Sequence, residues 1–260
     1  AVNISDIAAM GGEPKVATVS LALTGEERTG DLVELYEGMG TIAKREGMVL
    51  AGGDIVRAPH DFGIHVTVLG NTRKNRVLRR DRAHPGEVIA VTGTLGAAAA
   101  GLALLQLPEG DPRRSAATAP LLIEAHTRPQ PRVQAARLAL EYGATAAMDL
   151  SDGLFGDLPK ILTASGVDAT VDLAAIPVAA SIRALFPDRW LEMATRGGED
   201  YELLLTISPR RWAATAPRTS SAKIPKTVIG RITDEPGALI LVDGLREAVL
   251  SPRGWRHTGG

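Results

Sequence analysis

Cysteine is absent from the 260-residue chain. Its absence excludes disulfide staples, thiolate nucleophiles and zinc-thiolate centres, and it is compatible with a reducing cytoplasm. Neither sign of charge is in excess. With 29 basic residues against 30 acidic ones, no overall field favours nucleic acid or an anionic membrane, so any anionic ligand has to be handled locally. Long apolar runs are missing as well: the most apolar stretch, Gly96 to Leu107, is far shorter than the roughly 20 residues that a spanning helix needs. Neither a signal peptide nor a membrane anchor is visible. The five histidines, His60, His65, His84, His126 and His257, lack metal-ligand spacing, and no Ser-His-Asp set can be argued from their order. Nor is there a P-loop, because GTLGAAAAG (Gly93 to Gly101) lacks the closing Lys-Ser/Thr. Its glycines could offer amides to an anion at a helix N-terminus, but close packing of small residues explains them better.

What is present is a 45% hydrophobic composition, ample for a buried core. An alanine-rich helix start around Asp6 precedes KVATVSLAL (Lys15 to Leu23), which reads as a buried strand. A helix follows, with Leu32, Leu35, Tyr36, Met39, Ile42 and Ala43 on one face, Asp31 as its cap and Gly47 as its stop. MVLAGGD and GIHVTVLG read as strands, the second with Ile64, Val66 and Val68 on one side. The basic segment from Asn71 to Glu87 has little apolar content and is the expected domain boundary, dividing the chain into 1–84 and 85–260. Beyond it, VIAVTGTLGAAAAGLALL predicts strand, glycine turn and helix, and PRVQAARLALEYG predicts a helix stopped by Gly143. A further strand then runs into a helix striped by Leu154, Leu158, Ile161 and Leu162, in which Pro159 must kink the helix or sit in its first turn. YELLLTIS, KTVIGRIT and ALILVDGLREAVL close the chain as strands, the last with a hairpin Asp-Gly. There is no internal repeat.

Four acidic clusters stand where a strand or loop gives way to glycine or to a helix, the place where open α/β architectures put ligands: SDIAAMGG, AGGD, MDLSDG and RGGEDYEL. In AGGD, Gly52 and Gly53 admit close backbone approach and Asp54 offers the hard oxygen that Mg²⁺ prefers, although a tight turn with a polar tip explains the same residues. Asp149 and Asp152 flank Ser151 at a strand end. A helix cap accounts for one of these carboxylates but not for both. Glu199 and Asp200 are adjacent just before a buried strand, either as a charged loop or as carboxylates held for a cation or ligand. Scattered aspartates, glycine turns and no histidine base suit metal-assisted phosphoryl transfer.

Taken together, NISDIAAMGG, LAGGDIVRAP, PGEVIAVTGTLGAAAAGLALL, MDLSDGLFGDL and GGEDYELL, in this order and spacing, resemble the thiamine-monophosphate kinase family, a branch of the superfamily typified by aminoimidazole ribonucleotide synthetase. The resemblance covers nearly the whole chain, and GGEDYELL joined to MDLSDGL marks the kinase branch. It implies an α/β chain of α+β type with the two-domain synthetase-like fold, N-terminal sheets pairing in a cytoplasmic homodimer, and no nucleic-acid or membrane partner. It further implies ATP- and Mg²⁺-dependent phosphorylation of thiamine monophosphate to thiamine diphosphate by direct transfer. No side-chain base is expected, because the acceptor phosphate is already ionised.

Position by position, the resemblance makes Asp6, Asp54, Asp149 and Asp152 the Mg²⁺ ligands and puts Gly53, Asp54, Arg80 and Ser151 at the nucleotide. Arg79 and Arg82 compete with Arg80 for that role. Glu199 and Trp255 fall on the thiamine side, and a second aromatic of the family is replaced here by Thr258. The family also carries roughly fifty residues ahead of the opening motif, with a GDDAA-like metal motif, so the resemblance implies a longer N-terminal domain than 1–84 alone. Alternatives are another ATP-using member of the superfamily, or a non-catalytic nucleotide-binding paralogue.

Overall fold

The computed structural model of the chain describes residues 1–74, 76–219, 226–234, 239–243 and 246–249. The N-terminal order is as the periodicities predict: α1 (Val2–Ala9), β1 (Glu13–Leu23), α2 (Thr29–Arg45), β2 (Val49–Arg57) and β3 (Gly63–Asn71). Alternation in β1 buries Ala17, Val19 and Leu21, and this apolar row makes β1 the central strand, parallel to β2 and antiparallel to β3. Two local expectations are corrected. Helix α1 already begins at Val2, so Asp6 lies inside the helix and not at its mouth. Helix α2 begins at Thr29, so Asp31 is a first-turn residue, where a carboxylate favours the N-terminal dipole, and Arg28 is the capping position. Gly47 ends the helix as expected, in left-handed backbone at φ +70°.

The glycines of β2 have a reason internal to the sheet. Pairing jumps from Ala17↔Leu50 to Thr18↔Gly52, so Ala51 bulges out of the ladder and Gly52 takes φ +136°. A Cβ on Gly53 would run into the backbone carbonyl of Val19. Only glycine lets β2 re-enter the register there.

The second half contains β4 (Val88–Thr92), α3 (Ala97–Gln106), α4 (Ala119–Thr127), α5 (Val133–Tyr142), β5 (Ala146–Asp149), α6 (Leu154–Ser165), β6 (Asp168–Asp172), α7 (Ala180–Leu185), α8 (Trp190–Arg196), β7 (Leu203–Ile207), α9 (Pro209–Thr219), β8 (Lys226–Thr233), β9 (Leu239–Asp243) and β10 (Arg246–Val249). Its strands form one sheet in the order β10-β9-β6-β8-β4-β7-β5, antiparallel throughout except for β6 beside β9. Successive residues of β4 serve opposite faces. Ile89 and Val91 pack with Leu154, Leu158 and Ile161 of α6, while Val88 and Ala90 pack with Leu205, Ile207 and Ala139 of α5. Pro159 sits inside α6, past its first turn.

Helix α1 joins the two sheets. It lies against β1 and β3 on one side and against α5 and β5 on the other, through the small residues Ala8, Ala9, Ala135 and Ala136. Alanine-on-alanine packing brings the helix close enough for its polar residues to reach the end of β5.

Candidate functional site

The DLSDG and GGEDYE segments are laced together by backbone. Beyond the last β5–β7 pair, Asp149↔Leu203, the Leu150 N–H donates to the Glu202 carbonyl at 2.8 Å, the Tyr201 N–H to the Leu150 carbonyl at 2.9 Å and the Glu199 N–H to the Ser151 carbonyl at 2.9 Å. The glycines make this possible, since a side chain on Gly198 would strike the Ser151 carbonyl and one on Gly153 the Gly197 carbonyl. Glu199 (φ +70°) and Tyr201 (φ +50°) are the non-glycine residues in left-handed backbone among the described ones.

Asp149 ends β5 with only 7% exposure, and its Oδ2 accepts the buried Ser5 hydroxyl at 2.6 Å. That bond ties α1 to the end of β5 and is worth about 1.5–3 kcal/mol as a hydrogen bond to a charged group. Asp6 follows Ser5 on α1. Its pKa is raised, first by desolvation and then by the Asp149 charge, with Arg80 pulling it down. Arg79 instead donates to Asp81 from Nε and Nη2, at 2.7 and 2.5 Å. Of the neighbouring arginines, Arg80 is therefore the one whose charge bears on Asp6.

Asp152 accepts from Lys160 Nζ at 2.5 Å, and the same amine reaches Asp157 Oδ1 at 2.6 Å. Asp157 is fully buried and its other oxygen accepts the Asp152 N–H at 2.9 Å. Partial burial works against the Lys160 charge, but the two carboxylates outweigh it and raise its pKa. Tyr201 registers the whole cluster: burial first, and then the charges of Glu199, Asp149, Asp6 and Asp152, push its hydroxyl up to about 12. Four carboxylates from three sequence motifs thus act on one phenol. Glu199 is also met by His126 Nδ1 of α4 at 3.4 Å.

Other expected residues stand apart. Asp54 is exposed on β2, its Oδ1 accepting the neighbouring Ile55 N–H at 2.9 Å. Gly53 is beside it, and Trp255 lies outside the described residues. Among the described residues no three Asp, Glu, His or Cys side chains form a closed metal cage. The donor chemistry nevertheless fits Mg²⁺, which takes hard oxygens, keeps several waters and is commonly held by one or two carboxylates plus substrate phosphates. Burial is the first cause of the raised pKa values of Asp6 and Tyr201, and the neighbouring carboxylate charges add to it.

Sequence reasoning did not single out several supporting residues. Ser5 and Lys160 hold Asp149 and Asp152, and their polar side chains beside the motifs were the available signal. Asp200, which the sequence marked only as a loop or ligand-side carboxylate, is half-buried and caps α3, accepting from Gly96 N–H at 2.6 Å and Ala98 N–H at 3.0 Å. The protein's own carboxylate therefore fills the amides of GTLGAAAAG. Gly101 packs against the Leu122 carbonyl of α4, so the packing account of these glycines holds. Glu202, 4% exposed, is held by Arg132 at 2.8 and 2.5 Å and by the Thr92 hydroxyl at 2.6 Å, which anchors the end of the motif.

Residues 1–72 match the family model for the AIR synthase related protein N-terminal domain, and residues 84–242 match the one for its C-terminal domain. The thiamine-monophosphate kinase of Bacillus subtilis (strain 168) is 37% identical over 99% of this chain and 79% of its own length. The crystal structure of thiamine-monophosphate kinase from Stenotrophomonas maltophilia K279a superposes with a TM-score of 0.82 at 36% identity, covering 92% of this chain and 75% of that one. AaThiL complexed with AMPPCP and TMP superposes with a TM-score of 0.84 at 31% identity, covering 99% and 78%.

Proposed function

The chain belongs to the AIR synthase related family and, within it, to the thiamine-monophosphate kinases, and from that premise we propose that it transfers the γ-phosphoryl group of ATP to the phosphate of thiamine monophosphate with the help of Mg²⁺. The products are ADP and thiamine diphosphate. The observation that carries this reading is the convergence of Asp6, Asp149, Asp152 and Glu199 on Tyr201 where α1 bridges the sheets. A related structure holds AMPPCP and TMP in the same fold.

Both reactants are anions, so their mutual repulsion is the main obstacle to transfer. When bound, Mg²⁺ would supply the positive charge that offsets that repulsion. Asp6, Asp149 and Asp152 would hold the ion as carboxylates, with Ser5 fixing the Asp149 oxygen that faces α1. Asp54 would add a further carboxylate from β2. Gly53, Ser151 and Arg80 lie along the nucleotide. Glu199 and Trp255 take the cationic thiamine moiety. The attacking phosphate oxygen arrives ionised, so no residue has to remove a proton.

The domain boundary is placed after residue 84, with 1–84 dimerising and 85–260 completing the site. Supporting a homodimer, β2 is exposed along nearly its whole length, with Val49 and Ile55 more than 60% exposed. No helix among the described residues is long and apolar enough to cross a membrane. ATP and thiamine monophosphate are both charged phosphates, which supports action in the cytoplasm.

The test is incubation of the full-length protein with ATP, Mg²⁺ and thiamine monophosphate, with thiamine diphosphate followed by fluorescence after oxidation. Mg²⁺-dependent product is expected. ATP binding with no product above a boiled control would instead identify a non-catalytic paralogue.

A further inference from the structure

The turn from Gly197 to Tyr201 is held in an unfavourable shape. Residues that carry a Cβ avoid left-handed backbone, yet Glu199 and Tyr201 both adopt it, on either side of Asp200. Such a conformation persists only where its surroundings over-determine it. Two sets of restraints do so here. The first is the backbone lacing of Glu199 to Ser151 and of Tyr201 to Leu150. The second is the Asp200 carboxylate, half-buried and bonded to two amides at the start of α3. The alternation across the turn separates the side chains: Asp200 is directed into the protein while Glu199 stays exposed and Tyr201 feels the charges of Asp6, Asp149 and Asp152.

We propose that Asp200 is a positioning residue of the site: by docking on the start of α3 it locks the turn that presents Glu199 to the substrate. The proposal rests on the reading of Glu199 as a thiamine-side group. A carboxylate suits the task because two N–H donors converge on its two oxygens and the helix terminus favours negative charge. Burial opposes that charge and pushes its pKa up to about 7. The residue therefore holds its carboxylate where desolvation opposes the charge, and the turn is what that position secures.

A plain helix cap would stabilise α3 without acting through Glu199, and a double-mutant cycle separates the two roles. KM for thiamine monophosphate and for ATP is measured in the full-length kinase for wild type, Asp200→Ala, Asp200→Asn, Glu199→Gln and the pairwise combinations. Asp200→Ala is expected to raise KM for thiamine monophosphate about tenfold, the scale of one charge-assisted hydrogen bond. KM for ATP should change by less than about twofold, since ATP contacts lie on the other motifs. Asparagine, which keeps one acceptor oxygen of the right reach, should recover part of the loss. In the Glu199→Gln background the Asp200 substitutions should add less than about twofold, as expected for two residues acting as a unit. Equal effects in both backgrounds, equal effects on both substrates, or an unchanged KM would overturn the proposal. Should alanine prevent folding, Asp200→Asn carries the cycle alone. Hydrogen exchange of the 197–201 amides needs no turnover. Faster exchange in Asp200→Asn supports the anchoring and unchanged exchange overturns it, even where an inactive wild type has already sunk the kinase reading.

Discussion

Asp200 also carries a consequence for stability. Burial raises its pKa from the ordinary 3.8 to about 7, against the pull of the Gly96 and Ala98 amides. Between those values the folded protein keeps a proton that the unfolded chain releases, so folding is favoured by protonation. The stability this group contributes is full below about pH 4 and is lost as pH rises through about 7. Asp200→Asn removes that titration. The stability difference between wild type and Asp200→Asn should therefore shift toward the asparagine variant from pH 4 to pH 8, by at most about 4 kcal/mol. Urea midpoints at the two pH values measure it, and a difference that does not change with pH contradicts the assignment. At this scale the sequence revealed the acidic residues but not their partners. Ser5 and Asp149 lie 144 positions apart, and no local pattern encodes a bond between residues that only tertiary packing brings together.

Among the elements, those with strong periodicity and a glycine stop were legible. Helix α5 ends at Gly143 in left-handed backbone, and α6 buries the predicted Leu154, Leu158, Ile161 and Leu162. Strand β6 was not read, because its five residues begin and end in Asp and leave no clear alternation. Strand β2 was legible as a strand, but the role of its glycines was not: the bulge that needs Gly52 and Gly53 depends on the opposing Val19 backbone. The same strand leaves Val49, Ile55 and Val56 exposed at the edge of the sheet, an unpaired apolar edge of the kind that invites a second copy. A lysine at its centre would have to bury an unpaired charge in any such pairing. Ile55→Lys should weaken dimerisation by at least about 100-fold while leaving the monomer fold intact. Sedimentation velocity should show a dimer for wild type and a monomer for the variant; a variant as dimeric as wild type would remove this edge from the interface.

At the scale of the molecule, the site exists because α1 is shared. Its alanines dock on α5, its Ile4 packs with Ala17 of β1, and the intervening Ser5 and Asp6 are thereby delivered to the end of β5. Helix α1 thus supplies Asp6, and the end of β5 with its following loop and the 197–201 turn supply Asp149, Asp152 and Glu199, while Asp54 stands apart on β2. The central claim is that carboxylates from the two halves serve one cation-dependent transfer. It is tested most directly by Mn²⁺ titration, followed by electron paramagnetic resonance, of the full-length protein with a non-hydrolysable ATP analogue. Wild type, Asp6→Asn, Asp149→Asn and the double variant are compared. A shared site predicts that either single substitution weakens the same Mn²⁺ by about tenfold or more and that the double variant loses less than the two losses combined. Additive losses from separate ions, or Mn²⁺ binding unchanged in Asp149→Asn, would contradict it.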